Sequence, residues 1–282
     1  MSEVTINYRG SAIATMDASG TKILQTEGKL CDDDIEVVYA RPSGGSVNWD
    51  GFNEGTWPTG DVVLSSSITT ISMYKYIGRT GITSVSAPGV TSVKSGAFRG
   101  CTGLTSISFP SVTSAEGDSF RETKIPVMHF PLLTTANTAF NYMQCTEGTI
   151  LVLPSLETVG GDGLRGAKIA ALDCGPSFSS IPARCFYGTG ASTFYNTLIF
   201  RKADGVVSAV NSTSIDLLGK DSSHETTIYI PKALYDHLDD GTSMDYKAAT
   251  NWSSKTSYIT WAQIEGSIYE TKYADGTTIP TG

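Results

Sequence analysis

The stretch ITSVSAPGVTSVKSGAF, residues 82–98, returns almost letter for letter as LTSISFPSVTSAEGDSF at 104–120. Val85 maps to Ile107, Pro88 to Pro110, Val90 to Val112 and Phe98 to Phe120, each about 22 positions on, and a fixed period in that range marks a stacked repeat. Residues 61–78 form a degenerate first copy, with Val63, Ile68, Ile71 and Tyr76 in the same slots. A third copy keeps Met128, Pro131, Leu133 and Phe140, and a fourth has Leu151, Leu153, Leu156, Val159 and Leu164. A fifth keeps Ile169, Leu172, Ile181 and Phe186; a looser sixth runs through Leu198 and Phe200 into a long loop reaching Ser222. The last strand is expected at Thr226–Ile230.

Within a copy, apolar residues alternate over one short strand, proline ends it, V-T-S-V turns a corner, and G-A-F places an aromatic inside. No copy can bury its apolar side alone, so stacking must make the core continuous. The expected fold is mainly β, a solenoid of short parallel strands. Tyr74, Tyr76, Phe98, Phe120, Phe140 and Phe186 are expected in its interior.

The flanks read differently. Residues 1–41 alternate apolar positions in Val4-Ile6-Tyr8, Ile23-Leu24 and Ile35-Val37-Tyr39, which predicts a small β-rich unit. Residues 42–47 read as a linker, 48–60 as an N-terminal cap and 61–230 as the repeats. Residues 231–271 read as a C-terminal cap: a short helix after Pro231, another over Met244–Trp252, and a strand over Tyr258–Gln263. Residues 272–282 read as a polar tail.

The formal net charge of -8 supplies no basic patch for phosphates, so nucleic acid is not an expected partner. No apolar run of about 18 residues predicts membrane insertion. The start, MSEVTINYRG, shows no secretory signal pattern. Cys31, Cys101, Cys145, Cys174 and Cys185 lack C-x-x-C spacing and read as free, mostly buried thiols.

Motifs for chemistry are few. Gly161-Asp-Gly163-Leu-Arg-Gly166 fits G-x-G-x-x-G, but falls in an inter-repeat turn without a strand–helix unit around it. His129, His224 and His237 are scattered rather than clustered as zinc ligands. Asp32-Asp33-Asp34 and Asp236, Asp239 and Asp240 have the carboxylates a calcium loop needs, though solvated turns account for them as well. No catalytic constellation is expected, and no cofactor. On the strands, alternate positions form an outward row of Ser86, Ser108, His129, Val152, Asp173, Arg201 and Tyr229. Four of them carry a larger polar or ionisable side chain, so His129, Asp173, Arg201 and Tyr229 are the candidate ligand-binding face.

The repeats resemble the BspA-type leucine-rich repeat, found in surface proteins and adhesins. Tyr229-Ile230-Pro231, Leu234, Tyr246-Lys247 and Trp252 are similar to the C-terminal cap of such proteins, with an insertion around Asp239–Met244. Residues 6–39 resemble a module of phage structural proteins, marked here by Tyr8, Gly10-Ser11, Ile13-Ala14, Gly20-Thr-Lys22, Leu24, Thr26, Gly28-Lys29, Cys31 and Asp34-Ile35. These resemblances imply a virion protein, a tail fibre, receptor-binding or decoration protein made in the host cytoplasm. Residues 1–41 would bind other virion proteins and the repeats a host-surface glycan or protein, in a homo-oligomer by analogy with fibres. The alternative is a bacterial surface adhesin; a carbohydrate-active enzyme is a third and weaker expectation.

Overall fold

The computed structural model describes residues 60–280, apart from 65, 189–192 and 254–256, and the course of five short strands before them. Of those, β1 (Val4–Tyr8) pairs antiparallel with β2 (Ser11–Met16), and β2 with β3 (Ile23–Gln25). β4 (Tyr39–Ala40) pairs antiparallel with β6 (Gly60–Val63), and β5 (Gly45–Trp49) runs parallel to β1. Gly45–Val47 are thus strand where the composition of 42–47 suggested only a linker. The cap expected at 48–60 lies almost wholly outside the described residues, as does most of Ile35–Tyr39.

The repeats stack into two parallel walls. One begins with β6, β8 (Ile82–Ser86) and β10 (Ser106–Ser108). It continues through β12 (Val127–His129), β14 (Thr149–Leu153), β16 (Lys168–Cys174), β18 (Phe194–Phe200), β20 (Thr226–Ile230) and β21 (Ile259–Gln263). The other holds β7 (Thr70–Ile71), β9 (Ser92–Val93), β11 (Ser114–Ala115), β13 (Thr135–Ala136) and β15 (Thr158–Val159), then β17 (Ser180–Ile181) paired with β19 (Ser208–Ala209). The expected solenoid of short parallel strands is therefore what forms.

Register sets which residues fill the core. Val62 pairs with Val85, Val85 with Ile107, and farther on Met128, Leu151, Leu172, Leu198, Ile228 and Trp261 follow in one column. The first coil differs from the sequence reading by one residue: Val62 is buried and Val63 only partly. A register shift between Gly60 and Asp61 supplies the extra residue. On the second wall each two-residue strand turns a Ser or Thr outward and an apolar residue inward.

The V-T-S-V corner has a specific logic. Thr91, Thr113 and Thr134 each donate a hydroxyl at 3.2 Å to the carbonyl of the threonine one coil back. Those carbonyls also accept two backbone N–H groups each from the next coil, so each one ties its coil to the next through three donors. Behind the corner stands an aromatic ladder. Tyr76, Phe98, Phe120 and Phe140 stack one per coil, with centroids 5.3, 5.7 and 5.8 Å apart. Leu164 takes the next slot and Phe186 the one after, both buried as expected. Tyr74 is the exception: it is half exposed, in the left-handed region at φ 57.

Coils approach closely where glycine permits. A Cβ on Gly103 would lie 2.0 Å from the Thr80 carbonyl oxygen, which is backbone and cannot rotate away. Gly103→Ala is therefore expected to cost about 1–3 kcal/mol through forced separation of two coils. Urea denaturation measures it, and a midpoint matching the parent would refute the close approach.

At the C-terminal end the short helix α1 (Lys232–Tyr235) forms after Pro231 as expected. The second helix expected over Met244–Trp252 does not: that stretch is a run of turns. Asp245 explains the difference, because its carboxylate accepts the Gly241 and Lys247 N–H groups and holds the chain in a local loop. Trp252, Tyr246 and Trp261 pack together to close the core.

Candidate binding face

The outward row lies along the first wall of the stack. His129 pairs across the sheet with Val152, Val152 with Asp173, Asp173 with Ile199, and Ile199 with Tyr229. Arg201 is not in this row. It is the first residue past β18, and Ile199 holds the position the sequence reading gave it. Interstrand hydrogen bonds set register here, and the fifth and sixth copies differ in length.

A second difference is larger. Val152, Asp173 and Ile199 are fully buried although they face outward, because residues 264–280 fold back over them. Residues 272–280, read as a polar tail, form part of a strap across the sheet. It includes a 3-10 turn at Ile268–Glu270 and a hairpin joined by the Lys272–Thr278 bridge.

All four candidate residues hold this strap. Arg201 clamps Asp173 through Nε and Nη2, at 2.7 and 2.8 Å. The same guanidinium donates to the carbonyls of Tyr269 at 2.8 Å and Lys272 at 3.1 Å. Asp173 Oδ2 accepts the Ala274 N–H at 3.0 Å. The Tyr229 ring meets Tyr269 edge to face at 4.7 Å. His129 meets Tyr273 edge to face and places Nδ1 2.8 Å from Asp275 Oδ2. Arg201 also lies 5.3 Å from the Tyr273 ring centroid. The sequence reading thus picked out four side chains that do converge, but their occupant is the chain itself.

Electrostatics agree with the geometry. Burial pushes the Asp173 carboxyl above its ordinary value, and the Arg201 and Ala274 donors recover only part of that shift. For Asp275 burial also acts upward, but the Thr277 donors and His129 outweigh it, so its pKa falls below 3.8. A lowered carboxyl contributes stability above its unfolded value that is lost as pH falls through the folded one. Protection of amides 272–278, relative to their intrinsic exchange, should therefore fall on acidification through and below that range, and Asp275→Asn should flatten the dependence. An exchange rate in the parent that tracks solvent chemistry alone would refute the tie.

The strap residues Tyr269, Tyr273, Ala274 and Asp275 were missed by sequence reasoning. Two tyrosines four apart in an otherwise polar stretch were the available signal. Chemically, the face reads main chain: a guanidinium for carbonyls and a carboxylate for an N–H. Neither contact depends on the side chain of the bound segment.

The other motifs resolve into structure. Gly161, Gly163 and Gly166 lie in an inter-coil turn. Asp236, Asp239 and Asp240 pair separately with Lys232, Lys247 and His237, and no group of three metal-ligating side chains occurs among the described residues. Asp32–Asp34 lie outside them. Cys101, Cys174 and Cys185 are buried free thiols and Cys145 is partly buried. No helix among the described residues is long and apolar enough to cross a membrane.

One edge of the stack concentrates arginines. Arg121 and Arg165 both approach the Tyr142 ring, at 4.6 and 5.9 Å from its centroid, and Arg165 also approaches Tyr187 at 5.4 Å. Asp118 pairs with Arg99 and Arg121, and Asp162 with Arg165 and Arg184, so much of the edge's positive charge is met within it.

Among known families, the model described as BspA type leucine rich repeat region matches residues 62–193 in 6 copies. No curated protein matches the chain. Among solved structures, the crystal structure of pneumococcal vaccine antigen PcpA is similar at 15% identity and a TM-score of 0.42. That alignment covers 73% of this chain, which spans only 43% of the PcpA chain. The repeat count, the parallel walls and the family match together make this a repeat protein whose residues 62–193 carry the BspA-type leucine-rich pattern.

Proposed function

We propose that this protein works by recognition rather than catalysis, as an adhesin-type protein whose stacked repeats present a surface to a partner on a cell. The observation that supports this most directly is the second wall. There each coil offers an outward Ser or Thr in lateral register, Ser92 beside Ser114, Ser114 beside Thr135, and Thr135 beside Thr158. Regular stacking of this kind builds an extended, rigid surface whose character is set by a few positions per repeat. Threonines 69, 91 and 113 continue the polar surface beside it, exposed. The match to the BspA-type repeat, a pattern found in surface proteins and adhesins, supports the same reading.

The test is saturable binding of the labelled full chain to intact bacterial and epithelial cells. A variant with lysine at Ser92, Ser114 and Thr135 should fold and lose binding, since three charges interrupt the wall. Absence of saturable binding to every surface tried would refute adhesion. A second reading keeps the recognition task but sets it on a phage particle, and the marks at Tyr8, Gly10-Ser11, Lys29 and Cys31 favour it. Mass spectrometry of purified particles tests that placement directly.

A further inference from the structure

The end of the stack carries a feature that neither the strap nor the walls use. Among the described residues no strand pairs beyond β21, and the core column ends on the Trp261 ring. A cleft of about 560 Å³ opens there, lined by Tyr235, Leu238, Asp239, Lys247, Ile259 and Trp261. That volume falls in the range of roughly 300–1,000 Å³ typical of small-ligand sites. We propose that this cleft is a saccharide subsite that takes one pyranose ring of a glycan.

The floor is aromatic and fixed. Trp261 packs against Tyr246 at 5.0 Å and Trp252 at 5.8 Å, both of which are buried, so the indole cannot swing away. Tyr235 and Leu238 are partly buried against the core beside it. An aromatic face carries negative charge density, which suits the weakly positive C–H face of a pyranose. Trp261 Nε1 is also shielded from water with no acceptor in reach. Being shielded, this N–H is not reached from the cleft, and the ring offers a ligand its face rather than a hydrogen bond.

The rim supplies the polar half. Lys247 Nζ lies 2.5 Å from Asp239 Oδ2, side by side at the mouth. Asp239 holds a left-handed backbone at φ 71, which a non-glycine residue adopts only when its surroundings impose it. Asp245 does so by accepting the Gly241 and Lys247 N–H groups and pinning the loop between. The rim is composite: Asp239 belongs to the insertion around Asp239–Met244, where this chain leaves the cap pattern, and Lys247 to the pattern itself.

The pairing decides the ligand class. An anion would have to displace Asp239 from Lys247, and a cation the reverse, so neither gains net charge attraction. A hydroxyl can donate to the carboxylate and accept from the ammonium while leaving the pair intact. A neutral ring with one apolar face and several hydroxyls meets both requirements.

The biological use of the subsite rests on the recognition reading above, but its binding does not, and the experiment separates them. Saturation-transfer NMR on the full chain would use the methyl pyranosides of glucose, galactose, mannose and N-acetylglucosamine, with methyl phosphate and glycine as charged probes. At least one pyranoside should receive saturation at its ring protons, with millimolar affinity. Lys247→Ala and Asp239→Gly should each weaken it by about tenfold or more, with unchanged circular dichroism, and Glu147→Ala, on an exposed turn outside the cleft, should leave it alone. Glycine at 239 keeps the left-handed backbone, so loss of binding there is not a folding artefact. No transfer to any pyranoside, transfer to the charged probes alone, or affinity indifferent to both variants would overturn the proposal. Pyranoside binding without cell binding removes only the adhesin reading; cell binding without pyranoside binding removes only the cleft.

Discussion

Replacing Phe120 with alanine should remove about 3–5 kcal/mol of stability, near the top of the range for an aromatic core truncation. The ring is fully buried and stacked between Phe98 and Phe140, parallel to both within 11°. Phe109 and Phe130 touch it from the side, at 6.2 and 5.6 Å. Most cavities shrink by partial collapse, but this one is framed by backbone. The Phe98 N–H donates to Ser119 and the Phe120 N–H to Ala139, each across to the next coil, so the neighbouring rings cannot close the gap without breaking those bonds. Because each coil contacts only its neighbours, a weak point in the middle also reduces coupling between the two ends. Chemical denaturation followed by circular dichroism should show a lower midpoint and a broader transition than the parent. A loss under about 1 kcal/mol, typical of an ordinary substitution, would mean the ladder is not a rigid part of the core.

Arg201→Ala should cost about as much, roughly 3–5 kcal/mol at neutral pH, for a different reason. It leaves the Asp173 carboxylate, fully buried, with the Ala274 N–H as its remaining donor. It also removes two donors to strap carbonyls, so amide exchange at 269–275 should rise. The pH dependence is diagnostic. Burial already raises the Asp173 pKa, and removing the guanidinium raises it further. An acid with a raised folded pKa contributes stability below its unfolded pKa and loses it as pH rises through the folded one. The deficit of Arg201→Ala should therefore shrink in mild acid, where Asp173 takes up a proton. Combining Arg201→Met with Asp173→Leu should recover much of the loss, since an apolar pair avoids the buried charge altogether. If the double variant is no better than Arg201→Ala alone, the ion pair is not what anchors the strap.

The two predictions differ in how far the sequence could reach them. Phe120 stands at a fixed offset in every copy, and the requirement that no copy bury its face alone places that slot inside. The wall residues Val85, Met128 and Leu172 follow by the same reasoning. Coil length is where it weakens: the shift near Gly60 moved Val62 into the place assigned to Val63, and Ile199 took the position assigned to Arg201. A period counts residues, whereas a ladder counts hydrogen bonds, and the two separate wherever a coil gains or loses a residue. The Met244–Trp252 helix failed for a local reason, because Asp245 ties its own neighbourhood into a loop.

By itself, then, the sequence determined the stacking, the first wall and the aromatic ladder, since each follows from apolar spacing repeated along the chain; the second wall forms where V-T-S-V read only as a corner. It also singled out His129, Asp173, Arg201 and Tyr229 as departures from the repeat. What it could not reveal was their partner. Asp275 lies 146 residues from His129, and Ala274 lies 101 from Asp173. No periodicity links positions so far apart, and only the folded chain brings the strap across the sheet to meet them. Tertiary structure alone decided that the outward row is a covered seam, and that the open cleft lies at the end of the stack beside Trp261.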